Sequence, residues 1–397
     1  MVVGTTPLAI AREASPIQTS TPAPIPDSII VKEFIFQGNT AFSDAELAKL
    51  TQDYTGRPLT FAELLEVESA VTKLYNDAGY INSGATIPAD QSFSPEESIL
   101  TIQIVEGGVA DIDVRVRGRL NPNYVRSRLG IAAKQPLNQN RLLEAMQLLQ
   151  MNPLIENISA QLSAGLRPEL SFMEVDVTSA DNFNFVVVTD NGRTPSVGSW
   201  RRGVEIHQGN LLGFGDGLNF TYTNTDGSNA FDLRYTIPLN ARNGTLSLAT
   251  RINDTELVES PFDRIDITGD SEYYELSLRQ PVIQTPTREL ALGAILTRQS
   301  SQTQLLGTDF QLSPGANEDG ETRVSAIRFF QDWTQRTAAD VFSAHSQFNV
   351  GVGWFDATVN SEPPDSRFFF WRGQAQYVRL LAPDTLPILH SDTQLAT

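Results

Sequence analysis

Few residues in this 397-residue chain have the type and spacing that chemistry demands. His207, His345 and His390 are its only histidines, and none stands in a metal-ligand spacing such as His-Glu-x-x-His. Each is expected to face a strand interior surface or a loop. Cysteine is absent, which removes thiolate metal sites, disulfides and a cysteine nucleophile. No Gly-x-Ser-x-Gly elbow and no Gly-x-x-x-x-Gly-Lys phosphate loop occurs. Gly213-Phe-Gly-Asp-Gly has glycines spaced as in a dinucleotide loop, but strands flank it and no helix follows, so a hairpin turn is the expected reading. Asn317-Glu-Asp-Gly-Glu offers carboxylates at a spacing unlike that of a calcium loop, and reads as a solvated loop. No catalytic residue, metal or cofactor is therefore expected.

A set of charged residues of both signs carries the remaining chemistry: Arg201, Glu205, Asp232, Arg234, Arg251, Glu275 and Arg279. They fall on the polar side of segments that alternate with period two. Phe231, Leu233, Tyr235 and Ile237 oppose Asp232, Arg234 and Thr236, and Leu218, Phe220 and Tyr222 oppose Asn219, Thr221 and Thr223. Such alternation means strands with one apolar and one polar face. The charged set is the candidate pore lining. Taken singly, each residue is what any water-filled barrel needs; only their collective polarity is expected to be functional.

From Ser199 to Ile252 four such strands follow one another, with the tight turns Gly213-Phe-Gly-Asp-Gly and Leu239-Asn-Ala-Arg-Asn-Gly-Thr, and longer polar connections elsewhere. Short turns at one end and long loops at the other describe a meander crossing a slab. Eleven candidate strands occur after residue 180: Phe183–Thr189, Trp200–Gln208, Asp216–Asn224, Phe231–Ile237, Thr245–Ile252, Tyr273–Val282, Arg288–Arg298, Arg323–Trp333, His345–Trp354, Phe368–Leu380 and Ile388–Ala396. Trp200, Trp333, Trp354, Trp371, Tyr273 and Tyr274 are expected near strand ends, as in interfacial girdles. No run of about 18 apolar residues exists, so a transmembrane helix is excluded while a membrane barrel is not. The net charge of -18 argues against nucleic acid as a partner.

Ahead of the strands the order β-α-α-β-β occurs twice. In the first copy a strand from Ile29 leads to Ser43, an N-cap with Glu46 completing a capping box, and then to a helix capped by Thr60 with Leu64, Val67, Val71, Leu74 and Ala78 on one face. Strands near Tyr80–Ile87 and at Ser98–Glu106 close it. The second copy starts at Asp111-Ile-Asp-Val, buries Leu142, Met146 and Leu149 on its second helix, and ends with strands near Leu154–Leu162 and Leu170–Val177. Before both, Ser15-Pro-Ile-Gln-Thr-Ser-Thr-Pro-Ala-Pro-Ile-Pro reads as an extended linker. The first residues have neither the basic start nor the apolar core of a signal peptide.

Several of these pieces form a combination. Phe36-Gln-Gly-Asn-Thr-Ala-Phe, Tyr75-Asn-Asp-Ala-Gly-Tyr-Ile and Val105-Glu-Gly-Gly resemble the first polypeptide-transport-associated (POTRA) domain of the outer-membrane transporters of two-partner secretion, the haemolysin secretion and activation proteins. Asn191-Gly-Arg-Thr-Pro-Ser-Val-Gly-Ser-Trp-Arg-Arg-Gly, Asn210-Leu-Leu-Gly-Phe-Gly-Asp and Tyr235-Thr-Ile-Pro-Leu-Asn-Ala-Arg-Asn-Gly-Thr resemble the opening of that family's barrel. The resemblance implies an α+β then all-β chain: a Pro-rich linker at 1–27, POTRA domains at 28–107 and 108–179, and the amino-terminal part of an antiparallel transmembrane β-barrel at 180–397. The implied barrel has about sixteen strands, of which eleven are present, so the chain reads as carboxy-terminally truncated, with two open edges. The Arg-Gly-aromatic motif of the family's pore loop would lie beyond Thr397.

The resemblance further implies a non-enzymatic translocator in the bacterial outer membrane, monomeric and surrounded by outer-membrane lipid, that takes an unfolded secreted protein from the periplasm through the barrel. An assembly insertase of the same superfamily is the alternative. For recognition of the secreted partner, strand addition at Tyr80, Ile81, Asn82, Ser83, Ala85 and Ile87 is the candidate mechanism. That edge is either open to an extended segment or covered by the neighbouring domain, and sequence leaves both open.

Overall fold

The computed structural model describes residues 28–91, 98–165, 167 and 169–380. The expected linker at 1–27 and the candidate strand Ile388–Ala396 lie outside them. The chain divides into two compact units, one of residues 1–74 and 85–105, the other of residues 75–84 and 106–397.

In the first unit the elements are β1 (Ile29–Gln37), α1 (Asp44–Thr51), β2 (Pro58–Leu59), α2 (Phe61–Asp77), β3 (Gly84–Thr86) and β4 (Ser98–Val105), the last turn of α2 and the start of β3 belonging to the second unit. The sheet order is β2-β1-β4-β3, with β1 parallel to β4. Alternation buries Ser98, Leu100, Ile102 and Ile104 of β4. On β1 the buried set steps from Val31 to Phe34 because a bulge between Val31 and Glu33 shifts the register by one residue. Leu64, Val67 and Val71 of α2 cover this face, and Val67 and Val71 are fully buried. The expected capping box forms at α1, and the Thr60 cap at α2 turns out to be a second box with Glu63. Ser43 and Glu46 bond reciprocally at α1, and at α2 the Thr60 N–H donates to Glu63 Oε2 at 2.8 Å while the Glu63 N–H donates to Thr60 Oγ1 at 3.3 Å.

The expected strand Tyr80–Ile87 shrinks to the three residues of β3. Gly79 at φ +91° turns the chain out of α2, and Tyr80 to Ser83 form turns, with Tyr80 N–H donating to Tyr75 O and Ser83 N–H to Tyr80 O. Backbone groups engaged in turns are not free for a ladder.

The second unit opens with the other β-α-α-β-β run: β5 (Gly108–Arg117), α3 (Pro122–Ala132), α4 (Gln139–Gln150), β6 (Ile155–Ala164) and β7 (Leu170–Ser179). Its sheet has the order β5-β7-β6, with β5 parallel and β6 antiparallel to β7. Ile112, Val114, Val125, Leu129, Leu149 and Met173 are among the residues of one core, with Leu142 and Met146 packed against it. Pro122 sits at the first helical position of α3 and Asn121 caps it, as a helix start requires.

Past Ser179 comes one antiparallel sheet in which most strands pair with their sequence neighbours: β8 (Phe183–Asp190), β9 (Arg201–Gly209), β10 (Gly217–Thr225), β11 (Ser228–Pro238), β12 (Thr245–Glu256), β13 (Ile267–Gln284), β14 (Arg288–Leu305), β16 (Glu321–Arg336), β17 (Asp340–Val352) and β18 (Phe369–Arg379). The two-residue β15 (Thr308–Asp309) folds back on β14 as the eleventh member. Ten of the eleven expected strands are thus present. Connections at 210–216, 239–244, 285–287 and 337–339 are tight, and those at the opposite end are long, except for the two-residue hairpin at Asp226-Gly227, which was expected to be long. Among the described residues, no helix is long and apolar enough to cross a membrane.

Candidate functional site

Strand pairing puts the seven charged residues on one continuous face. Glu205 stands opposite Thr221, Thr221 opposite Asp232, and Asp232 opposite Arg251. Arg251 then stands opposite Tyr273, which shares its face with Glu275 and Arg279 two and six residues on. Arg201 and Arg234 have the same parity as Glu205 and Asp232. The alternate residues form the other face, where Leu248 stands opposite Leu276 and Leu276 opposite Leu296. These leucines remain exposed although they are apolar. A sheet with an apolar band across one face and ion pairs on the other needs two different solvents.

On the ionic face most of the charges pair with one another. Arg251 pairs with Asp232 at 2.5 Å, Arg234 with Glu275 at 2.9 Å, and Arg201 with Asp190 at 2.5 Å. Arg279 bonds Glu289 at 2.5 Å and approaches Asp332 at 3.7 Å, and His345 Nδ1 lies 2.6 Å from Asp332 Oδ1. The arginines are a third or more exposed, so each pair is worth about 0–1 kcal/mol. Of the seven, Glu205 forms no ion pair among the described residues. Asp190, Glu289, Asp332 and His345 were missed as members, although strand parity counted along β8, β14, β16 and β17 would have found them.

The remaining motifs resolve structurally. His207 lies on the ionic face with Nδ1 2.6 Å from Asn219 Oδ1, and His390 is outside the described residues. Around Gly213-Phe-Gly-Asp-Gly, buried Asp216 accepts from the Leu212 N–H and, at 2.8 Å, from the Tyr235 hydroxyl, so this is a hairpin turn. Asn317 closes a turn by bonding Gly320 and Glu321, which uses the oxygen atoms a cation would need. Among the described residues, no cluster of three His, Cys, Asp or Glu could hold a metal ion. Trp200, Trp354 and Trp371 gather at the long-loop end of the sheet and Trp333 towards the tight-turn end. Tyr273 and Tyr274 do not join them, because β13 extends well beyond both sides of this pair.

The six candidate edge residues are not brought together in one strand. In the second unit, Asn82 Nδ2 donates to Ser171 Oγ at 2.5 Å, buried Ser83 accepts from the Gly107 N–H, and Ile81 is exposed. In the first, the Ala85 N–H donates to Thr72 Oγ1 and the Ile87 N–H to Glu68 Oε2. Gln91 adds a feature that sequence reasoning missed. Its side-chain amide accepts from the Thr101 N–H at 2.7 Å and donates to the Thr101 carbonyl at 2.8 Å, standing on β4 where an added strand would. On α2, the Thr60 N–H and then the Arg57 guanidinium, 2.5 Å away, hold the exposed Glu63 carboxyl down at about 2.

With this geometry in place, relatives can be compared. The family described as haemolysin secretion/activation protein ShlB/FhaC/HecB matches residues 170–390, more than half of the chain. The chain belongs to that family. A POTRA domain of the ShlB type matches residues 29–107. The outer membrane transporter CdiB of Dickeya dadantii is 21% identical over 359 residues, covering 87% of this chain and 61% of the relative. The heme/hemopexin transporter protein HuxB of Haemophilus influenzae is 22% identical over 263 residues, covering 65% of this chain and 42% of the relative. Among solved structures, CdiB from Escherichia coli superposes with a TM-score of 0.65 at 18% identity, covering 92% of this chain and 67% of that one. CdiB from Acinetobacter baumannii gives 0.57 at 15% identity, covering 92% and 69%. The chain therefore spans about three fifths or less of the length of the curated relatives it matches. A POTRA domain followed by a large antiparallel sheet is the family fold, with the sheet in the outer membrane and the POTRA domain in the periplasm.

Proposed function

We propose that this protein recognises a secreted partner protein in the periplasm and exports it across the outer membrane, with the ionic face of the sheet lining the path. The observation that carries this reading is the continuous face of mostly paired charges, opposite a face with an apolar band, on a sheet that follows a POTRA domain. The run from β5 to β7 acts as a second POTRA domain at 108–179, after a linker at 1–27 and the first domain at 28–107, and the strands from 180 on form barrel wall. Arg201, Glu205, Asp232, Arg234, Arg251, Glu275 and Arg279 keep the path wet, so that an unfolded chain passes without sticking. No bond is made or broken, and the protein works as a monomer in lipid. Among the relatives, CdiB is an outer membrane transporter and HuxB a heme/hemopexin transporter.

Partner recognition proceeds by strand addition at the edge of β3, the incoming strand replacing the Thr72 and Glu68 side chains on the Ala85 and Ile87 N–H groups. An incoming strand extends past β3 only by displacing the Gln91 amide from Thr101, which makes recognition depend on a backbone exchange. To test the function, the chain is co-expressed with a candidate secreted partner protein. Partner in the medium is expected, and none when residues 28–107 are deleted. A partner retained in the periplasm beside an intact, membrane-inserted chain would contradict the reading.

A further inference from the structure

At the tight-turn end of the sheet, α3 meets two hairpins. Arg119 Nη2 donates to Leu211 O at 2.8 Å, and the Asn121 N–H donates to Gly213 O at 2.8 Å. Gly215, at φ +84°, lies so close to Tyr124 that an added Cβ would fall 2.3 Å from the ring, so only glycine fits. On the next turn of α3, the Arg128 guanidinium stacks 3.4 Å from the centre of the Tyr124 ring and donates from Nε to Asn243 Oδ1 at 2.7 Å and from Nη1 to Tyr124 O at 2.9 Å. Among the described residues it meets no carboxylate within ion-pair distance.

Beside Arg128 opens a cavity of about 300 Å³, lined by Arg141 and Glu144 of α4, Arg242, and the apolar Leu148, Pro281 and Val282. Three arginines against one glutamate leave it two positive charges. Arg141 donates to Pro136 O, and neither Arg141 nor Arg242 forms an ion pair among the described residues. Of its lining Val282 is 53% exposed, and Ile283 (43%), next in the chain, and Leu239 (49%), two residues before Ala241 of the lining, are exposed as well. A basic recess bordered by apolar surface at a membrane interface has the composition of an anionic headgroup site, since guanidinium matches phosphate oxygens and the apolar border suits acyl chains.

We infer that Arg128, Arg141 and Arg242 bind the phosphate of an anionic phospholipid from the periplasmic leaflet, seating its acyl chains against Val282 and Leu239. The bound lipid bridges α3, α4 and the hairpin at 239–244, which tethers the α/β run to the strand ends. The inference rests on the outer-membrane placement of the sheet and not on export, so a failed secretion assay leaves it standing.

Native mass spectrometry of the full chain in detergent, titrated with phosphatidylglycerol, phosphatidylethanolamine or inorganic phosphate, tests it. Phosphatidylglycerol is expected to be retained at lower concentration than phosphatidylethanolamine, and Arg141→Gln or Arg242→Gln to weaken that retention about fivefold each. Both arginines are exposed, so these variants keep the fold, as an unchanged circular-dichroism spectrum of the full chain would report. Equal retention of the two lipids, retention unchanged in both variants, or displacement of the lipid by inorganic phosphate would each overturn the inference.

Discussion

The α/β domain matched as POTRA and the strand sheet bury their apolar side chains in different solvents. In the first, Val67, Val71, Leu100 and Ile102 are fully buried, and the protein itself supplies the apolar medium. In the sheet, Leu233, Leu248, Leu276 and Leu296 stay 38–55% exposed on a folded surface, and the lipid supplies it. The same residue type is therefore held by packing in one region and by the bilayer in the other, and substitutions should separate the two.

Packing should give the largest effect. Leu100→Ala leaves a cavity among side chains that cannot close over it, and is expected to destabilise the first domain by about 2–5 kcal/mol. Hydrogen exchange at β1 and β4 of the full chain would read this, with protection in the sheet unchanged; a loss spread over β8 to β18 would break the distinction. Leu276→Arg, on the apolar face near the middle of β13, is expected to cost about 2–4 kcal/mol in bilayers. Folding yield into vesicles should fall accordingly, whereas loss of order in residues 28–105 would contradict separate solvents.

The smallest effect expected is a pH response confined to α2. Glu63 is held at about 2, below its ordinary 4.5, so its capping contribution is complete above 4.5 and disappears as pH falls towards 2. Protection of the Thr60 and Glu63 amides, taken against their intrinsic exchange rate at each pH, should fall over that window, while the sheet, whose ladder does not depend on this carboxylate, stays protected. No loss of protection at Thr60 would remove the cap from the account.

Period-two alternation made most of the sheet legible, because residues such as Phe231 to Ile237 must satisfy water on one side and lipid on the other. It failed where a strand leaves the apolar band. The outer ends of β13 and β14, Thr268 to Glu272 and Gln299 to Gln304, are polar on both faces, so only the ladder shows them to be strand. Helix starts were readable from Ser43 and Thr60, whose partners lie three residues away. The edge at 80–87 was not, since the turn after Gly79 and the Gln91 amide depend on tertiary neighbours that no local pattern contains. Of the charged site, both members of Arg251–Asp232 and Arg234–Glu275 were recognised, whereas Asp190 and Glu289, the partners of Arg201 and Arg279, and the pair Asp332–His345 were not, because which charges meet depends on register between strands.

Because the chain has no cysteine, its two faces can be tested directly. Single cysteines placed at each position from 231 to 236 and exposed in intact outer membranes to a charged maleimide should label at Asp232, Arg234 and Thr236 and stay silent at Phe231, Leu233 and Tyr235. Uniform labelling, or labelling of the apolar set, would contradict a water-lined ionic face backed by lipid.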